Sequence, residues 1–152
     1  MILCHQIDKK LADKPLAVAF ALAIPVWILF YLSSRPVIDL SWPCKSPTLF
    51  LLLGVLYPAI EELVFRGLIQ GELMQKQTFR HSYAGISRAN MLTSLLFAAA
   101  HLYAHPFTMA MLVFVPSLIF GYFRDRFDGW LLPPILLHTY YNLGYFLIFK
   151  PL

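Results

Sequence analysis

Charge is what this sequence has least of: Asp, Glu, Lys and Arg make up only 13% of its 152 residues. A soluble domain of this size carries about 25%. Cysteine is scarce as well, with Cys4 and Cys44 the only two. Neither belongs to a CxxC or zinc-ribbon spacing. A membrane span between them would put them on opposite sides, where they cannot pair. There is no internal repeat, low-complexity tract or dividing linker, so a single membrane domain, 1–152, is expected. In place of charge stand 59% hydrophobic and 16% aromatic residues, with a mean hydropathy of +0.66. A globule this small has too little interior to hide that much hydrocarbon. An ordinary cytosolic enzyme, a disordered tail and a nucleic-acid binder are thereby excluded. The net charge of +4 is dispersed between apolar runs, as Lys and Arg are at membrane edges. Membrane lipid, and no nucleic acid, is the expected surrounding.

Five apolar stretches stand out: Pro15–Leu32, Pro47–Ile69, Asn90–Ala104, Phe107–Phe123 and Leu131–Phe149. Each is near the ~20 residues a helix needs to cross the hydrocarbon. In lipid every backbone amide must be satisfied within its own segment, so helices are predicted. The fold class expected is all-α, a polytopic transmembrane helical bundle of about five spans. The first stretch exceeds the ~7–15-residue core of a signal peptide and no clear cleavage site follows, so it reads as a retained span. Ala104-His105-Pro106 leaves room only for a tight hairpin. With residues 1–14 in the cytoplasm, one side holds Lys9, Lys10, Lys14, Lys76, Arg80, Arg88, Arg124 and Arg126, the other Arg35, Lys45 and Lys150. Eight against three, with Arg66 inside a span, favours that orientation. In a bacterial cell the inner membrane would hold the chain. Gly71–Arg88, the longest polar connection, suits an amphipathic segment on the membrane surface.

The informative residues are polar ones in the wrong solvent. Glu61, Glu62 and Arg66 lie in the second stretch, His101 in the third, His138 and Asn142 in the fifth. An ionised side chain at mid-bilayer costs at least ~2.5 kcal/mol, so such residues need partners and mark function. Glu62 and Arg66 are four apart, acid first, which suits an ion pair on one helix face. Glu61 points about 100° away, its carboxylate turned to another task. His138 and Asn142, again four apart, share a face. At 1.5 Å rise per residue, the expected topology puts Glu61, His101, His138 and Asn142 about 12–20 Å above the cytoplasmic edge, in one layer.

A desolvated carboxylate beside an imidazole can hold and activate water. Asn and His donors can stabilise the oxyanion formed when that water attacks an amide. The layer has no Ser or Cys nucleophile, so direct water attack on a peptide bond fits better than an acyl-enzyme.

These residues resemble three motifs of the CAAX-protease and bacteriocin-processing (CPBP, or Abi) family of intramembrane proteases. Glu61-Glu62-Leu63-Val64-Phe65-Arg66-Gly67 is similar to its EExxxR(G), Phe97-Ala98-Ala99-Ala100-His101 to its FxxxH, and His138-Thr139-Tyr140-Tyr141-Asn142 to its HxxxN. The resemblance runs over roughly Leu56 to Tyr145. It implies a glutamic-type intramembrane protease in which Glu61 is the general base, His101 its partner on the water, and His138 and Asn142 the oxyanion hole. Glu62 and Arg66 match family positions too, with a supporting role by their spacing. No cofactor is expected; the variant mechanism is zinc held by Glu61, His101 and His138. The implied substrate is a membrane-associated or C-terminally anchored protein or peptide. The short length resembles compact prokaryotic members, including the JDVT-CTERM sorting type and bacteriocin self-immunity proteins.

Each feature taken alone has a plainer account. Glu62–Arg66 reads as a structural ion pair, Glu61 as a proton-relay residue, and His101 with His105 as two metal ligands on one face. Tyr140, Tyr141, Tyr145 and Phe146 read as helix packing and interface anchors. Pro58, three residues before Glu61, is placed to open the helix to water. A non-catalytic membrane protein, either an immunity factor or a small proton-coupled carrier, is the alternative from another class.

Overall fold

A computed structural model describes residues 12–150, and most of them are helical. The described residues up to Ile60, together with those from Leu136 onward, form one compact unit; Glu61–Ile135 form a second. Among the described residues, three helical stretches are long and apolar enough to cross a membrane: Lys14–Ser33, Pro47–Gln75 and Phe107–Arg126. The other two expected spans are shorter helices, Arg88–His101 of 14 residues and Leu132–Ile148 of 17. At 1.5 Å per residue these reach about 21 and 25 Å, less than the ~30 Å hydrocarbon thickness.

The first unit begins with α1 (Lys14–Ser34). Asp13 caps it by accepting from the Leu16 amide at 3.1 Å, and Arg35 ends it in the left-handed region at φ 44°. Leu16, Ala19 and Ala23 form its buried stripe, whereas Leu22, Leu29 and Leu32 are exposed. An apolar surface this extensive is a liability in water and at home in lipid. Two short helices follow, α2 (Trp42–Lys45) and α3 (Pro47–Leu51). The unit closes with α9 (Leu132–Ile148), which joins it from Leu136 onward. Aromatic side chains dock α9 on α1: Phe20 and Trp27 pack on Tyr140 with ring centroids 5.2 and 5.0 Å apart. The Tyr141 hydroxyl donates to the Ala19 carbonyl at 2.7 Å, and the Trp42 indole donates to Phe146 O at the same distance. Gly144 makes room for Trp27, whose ring would lie 2.1 Å from a Cβ there.

The stretch from Pro47 was expected as one regular helix. It instead contains two π-helical segments, Leu52–Leu56 and Leu63–Ile69, flanking α4 (Tyr57–Glu62) and followed by α5 (Gln70–Gln75). Buried positions here recur every four residues: Gly54, Pro58, Glu62, Arg66 and Gln70. A regular α-helix would carry such a set about 40° further round its axis at each step. The wider π turns offset that drift.

The second unit continues with α6 (Gln77–Arg80) and an antiparallel hairpin pairing β1 (Ser82–Tyr83) with β2 (Ile86–Ser87). Its turn uses positive φ at Ala84 and Gly85. Ser87 then caps α7 (Arg88–His101), accepting from the Asn90 amide at 3.0 Å. The expected tight hairpin at His105-Pro106 is present, and α8 (Phe107–Arg126) returns along α7.

Candidate active site

A set of polar side chains in the second unit is buried, among them Glu62, Arg66, Gln70, Asn90 and Ser117. Glu62 and Arg66 are both 0% exposed, with Arg66 Nε 3.3 Å from Glu62 Oε2, as their spacing predicts. Arg66 is held from α8 as well: Nη2 donates to the Ser117 hydroxyl at 2.7 Å and to the Ser117 carbonyl at 3.0 Å. A buried cation needs such company, because an uncompensated charge here would cost several kcal/mol (~3–5). Glu61, one residue earlier on α4, is half-buried.

The guanidinium carbon of Arg66 also stands 5.3 Å from the ring centroid of Phe97, within cation–π range. Phe97, 2% exposed, meets Phe65 edge-on at 5.0 Å and the His101 ring at 4.5 Å. Its carbonyl lies 2.9 Å from His101 Nδ1. A carbonyl can only accept, so Nδ1 is the donor, and in the neutral imidazole Nε2 then keeps its lone pair. The EExxxR and FxxxH elements are thus joined in one unit, and Phe97, noted in the sequence only as a motif letter, is the join. His101 and His105 stack at 5.8 Å, with His105 exposed. Among the described residues no three His, Cys, Asp or Glu side chains group as metal ligands.

His138 and Asn142 are carried by α9 in the other unit. His138 is 5% exposed. Asn142 Nδ2 donates to the Leu53 carbonyl at 3.3 Å, and the backbone explains why. In the first π segment the Tyr57 amide bonds Leu52 O. The corresponding partner of Leu53 O would be residue 58, which is proline and has no N–H. Asn142 supplies the missing donor. One of its two amide protons is thereby committed to structure.

A polar belt in the second unit was not singled out from the sequence. Asp125 accepts from Ser87 Oγ at 2.6 Å, Gln70 Nε2 at 2.9 Å and Arg124 Nη1 at 3.1 Å. Gln70 also donates to Gly121 O, and Asn90 to Leu118 O and, through its Oδ1, accepts from Ser94. One carboxylate so ties α5, the N-cap of α7 and α8. The signal was available: Gln70 extends the Glu62–Arg66 spacing by four, and Ser117, Gly121 and Asp125 repeat it on α8.

A family model described as type II CAAX prenyl endopeptidase Rce1-like matches residues 43–144. That stretch is about two-thirds of the 152 residues and contains all three motifs. No curated protein and no solved structure matches the chain.

Proposed function

Because the chain belongs to the type II CAAX prenyl endopeptidase Rce1-like family, a family of membrane peptide hydrolases, we propose that it cleaves a peptide bond of a membrane-associated substrate with a water activated by Glu61. In this reading Glu61 takes the proton of the water as it attacks. His101 orients that water through the lone pair of Nε2. His138 and Asn142 donate to the oxyanion of the tetrahedral intermediate. Glu62 and Arg66 hold the helix that presents Glu61. The observation that carries the proposal is the Arg66–Phe97–His101 contact, which joins the first two motifs in one buried cluster.

The finer assignments follow the same reading. The protein is integral to the membrane, and the excess of Lys and Arg on one side of a five-span arrangement supports a cytoplasmic N-terminus. The substrate is a C-terminally anchored or lipid-modified protein, and a cut of the sorting type near the anchor is the narrower form. Water activation needs no cofactor here. In the zinc variant Glu61, His101 and His138 would hold the ion, which would supply the activated water.

The full chain in lipid nanodiscs, given a farnesylated CAAX peptide and a reporter with a C-terminal membrane anchor, should release a cut product visible by mass spectrometry. Glu61→Gln should lower turnover at least ~10²-fold, the range of a general base, without loss of folded protein. Glu61→Gln cleaving at the parental rate would overturn the assignment. If Glu62→Gln abolishes turnover in folded protein instead, the two glutamates exchange roles. Loss of activity on chelation, restored by zinc, would favour the metal variant.

A further inference from the structure

The structure assigns to Phe97 a positioning role: its ring and its carbonyl together fix the plane and the tautomer of His101. The inference rests on the proposed use of His101 as partner to the attacking water, and goes beyond it by naming what sets that imidazole.

Phe97 is buried at 2% exposure, so it offers a substrate almost no surface. Its own ring is held by groups that have little freedom. Arg66 stands 5.3 Å from the centroid and is itself fixed by Glu62 at 3.3 Å and by two hydrogen bonds to Ser117. Phe65 closes another side at 5.0 Å, its plane at 79°. From this fixed base Phe97 acts on His101, one helical turn later, in two ways. The ring lies 4.5 Å from the imidazole, tilted by 40°, and limits its rotation. The carbonyl, 2.9 Å from Nδ1, holds the proton on that nitrogen. Nε2 is then the basic atom, and its direction is set before any water arrives.

Either contact alone would leave a degree of freedom. The hydrogen bond selects a tautomer but permits tilt about its axis. The ring restricts tilt but is indifferent to which nitrogen is protonated. Alanines at 98, 99 and 100 contribute no bulk that could replace the ring. The FxxxH spacing therefore has a mechanical reason: four residues is the distance at which one residue can give both contacts on a helix.

The test uses the full chain in nanodiscs with the cleaved peptide as substrate. Phe97→Leu removes the ring and keeps the carbonyl. It should lower kcat at least tenfold while KM stays within twofold, and Phe97→Tyr should restore most of the loss. Phe97→Leu with parental kcat, or a loss of kcat that only follows the folded fraction, would overturn the proposal. So would Phe97→Tyr failing as badly as Phe97→Leu at equal folded fraction. A second measurement does not depend on activity or on the Phe97 variants. In ¹⁵N-histidine spectra of the parent protein, with the His101 signals identified by their loss in His101→Asn, Nδ1 should carry the proton. A neutral Nε2–H tautomer would sink the inference. If the parent chain cleaves neither substrate, the proposed function fails while the spectra still decide the tautomer.

Discussion

Arg66 Nη2 reaches both polar atoms of Ser117, the hydroxyl at 2.7 Å and the carbonyl at 3.0 Å, so a cation on one span is anchored to the backbone of another helix. The anchor and the ion pair to Glu62 should differ in cost. Glu62→Gln leaves a buried guanidinium without its counter-charge, which costs about 3–5 kcal/mol. Ser117→Ala removes one hydrogen bond to a charged group, about 1.5–3 kcal/mol, and keeps the carbonyl acceptor. Unfolding titrations in mixed micelles should rank Glu62→Gln well below Ser117→Ala. Equal stabilities would mean that the ion pair contributes nothing beyond an ordinary contact. The double variant should cost less than the sum, because both act through Arg66.

Gly121 gives a second stability prediction. A Cβ at this position would lie 1.9 Å from Asn90 Oδ1 and 2.9 Å from Gln70 Oε1. Both side chains are 0% exposed and hydrogen-bonded, so neither can swing aside without breaking its tie to Leu118 or Gly121. Gly121→Ala should therefore destabilise by about 1–3 kcal/mol, the usual range for overpacking. Relief should come from Asn90→Ala in the same chain. If Gly121→Ala unfolds at the parental point, the belt is looser than these distances state.

Much of this was legible in advance because the signals were local. Glu62–Arg66 sits at helix spacing with the acid first, and the pair is formed. Apolar runs marked the helices, and Pro106 marked the hairpin between α7 and α8. The π segments were not legible, since the periodicity rule assumes 3.6 residues per turn and the buried stripe from Gly54 to Gln70 has a period of four. The belt around Asp125 was passed over for a different reason. Ser, Asn and Gln are inexpensive enough in helices to escape notice, and their meaning lies in contacts between segments up to 55 residues apart. Asn142 could be assigned as a donor from its motif, whereas its tie to Leu53 required knowing that the helix around residue 53 is a π turn.

Asp39 carries the acid dependence of the loop before α2. Hydrogen bonds from the Ser41 hydroxyl, then from Lys45 and the Ser41 amide, hold its carboxyl down to about 2 from an ordinary 3.8. A group whose folded value is depressed stabilises the fold above its unfolded value and loses that contribution as pH falls through the folded one. The loop should therefore hold its geometry down to about pH 4 and loosen between there and about pH 2. Amide protection factors at Ser41 and Lys45, corrected for intrinsic exchange, should fall across that window in the parent and stay flat in Asp39→Asn. A midpoint near the ordinary carboxylate value would show that the Ser41 and Lys45 contacts do not form.

Asn142 tests whether one side chain serves both structure and chemistry. Its Nδ2 satisfies the Leu53 carbonyl that Pro58 leaves without a backbone donor, 3.3 Å away. Asn142→Ala removes that bond between neutral groups and should cost about 0.5–1.5 kcal/mol of stability. If the second amide proton also faces the oxyanion, kcat should fall by about 10²–10³ as well, far more than the folded fraction can explain. Replacing Pro58 by Ala separates the two effects. Residue 58 then has an N–H for Leu53 O, so the structural loss in Asn142→Ala should shrink in the Pro58→Ala background while the loss of kcat persists. A kcat that recovers along with stability would reduce Asn142 to a splice for the π turn and remove it from the oxyanion hole.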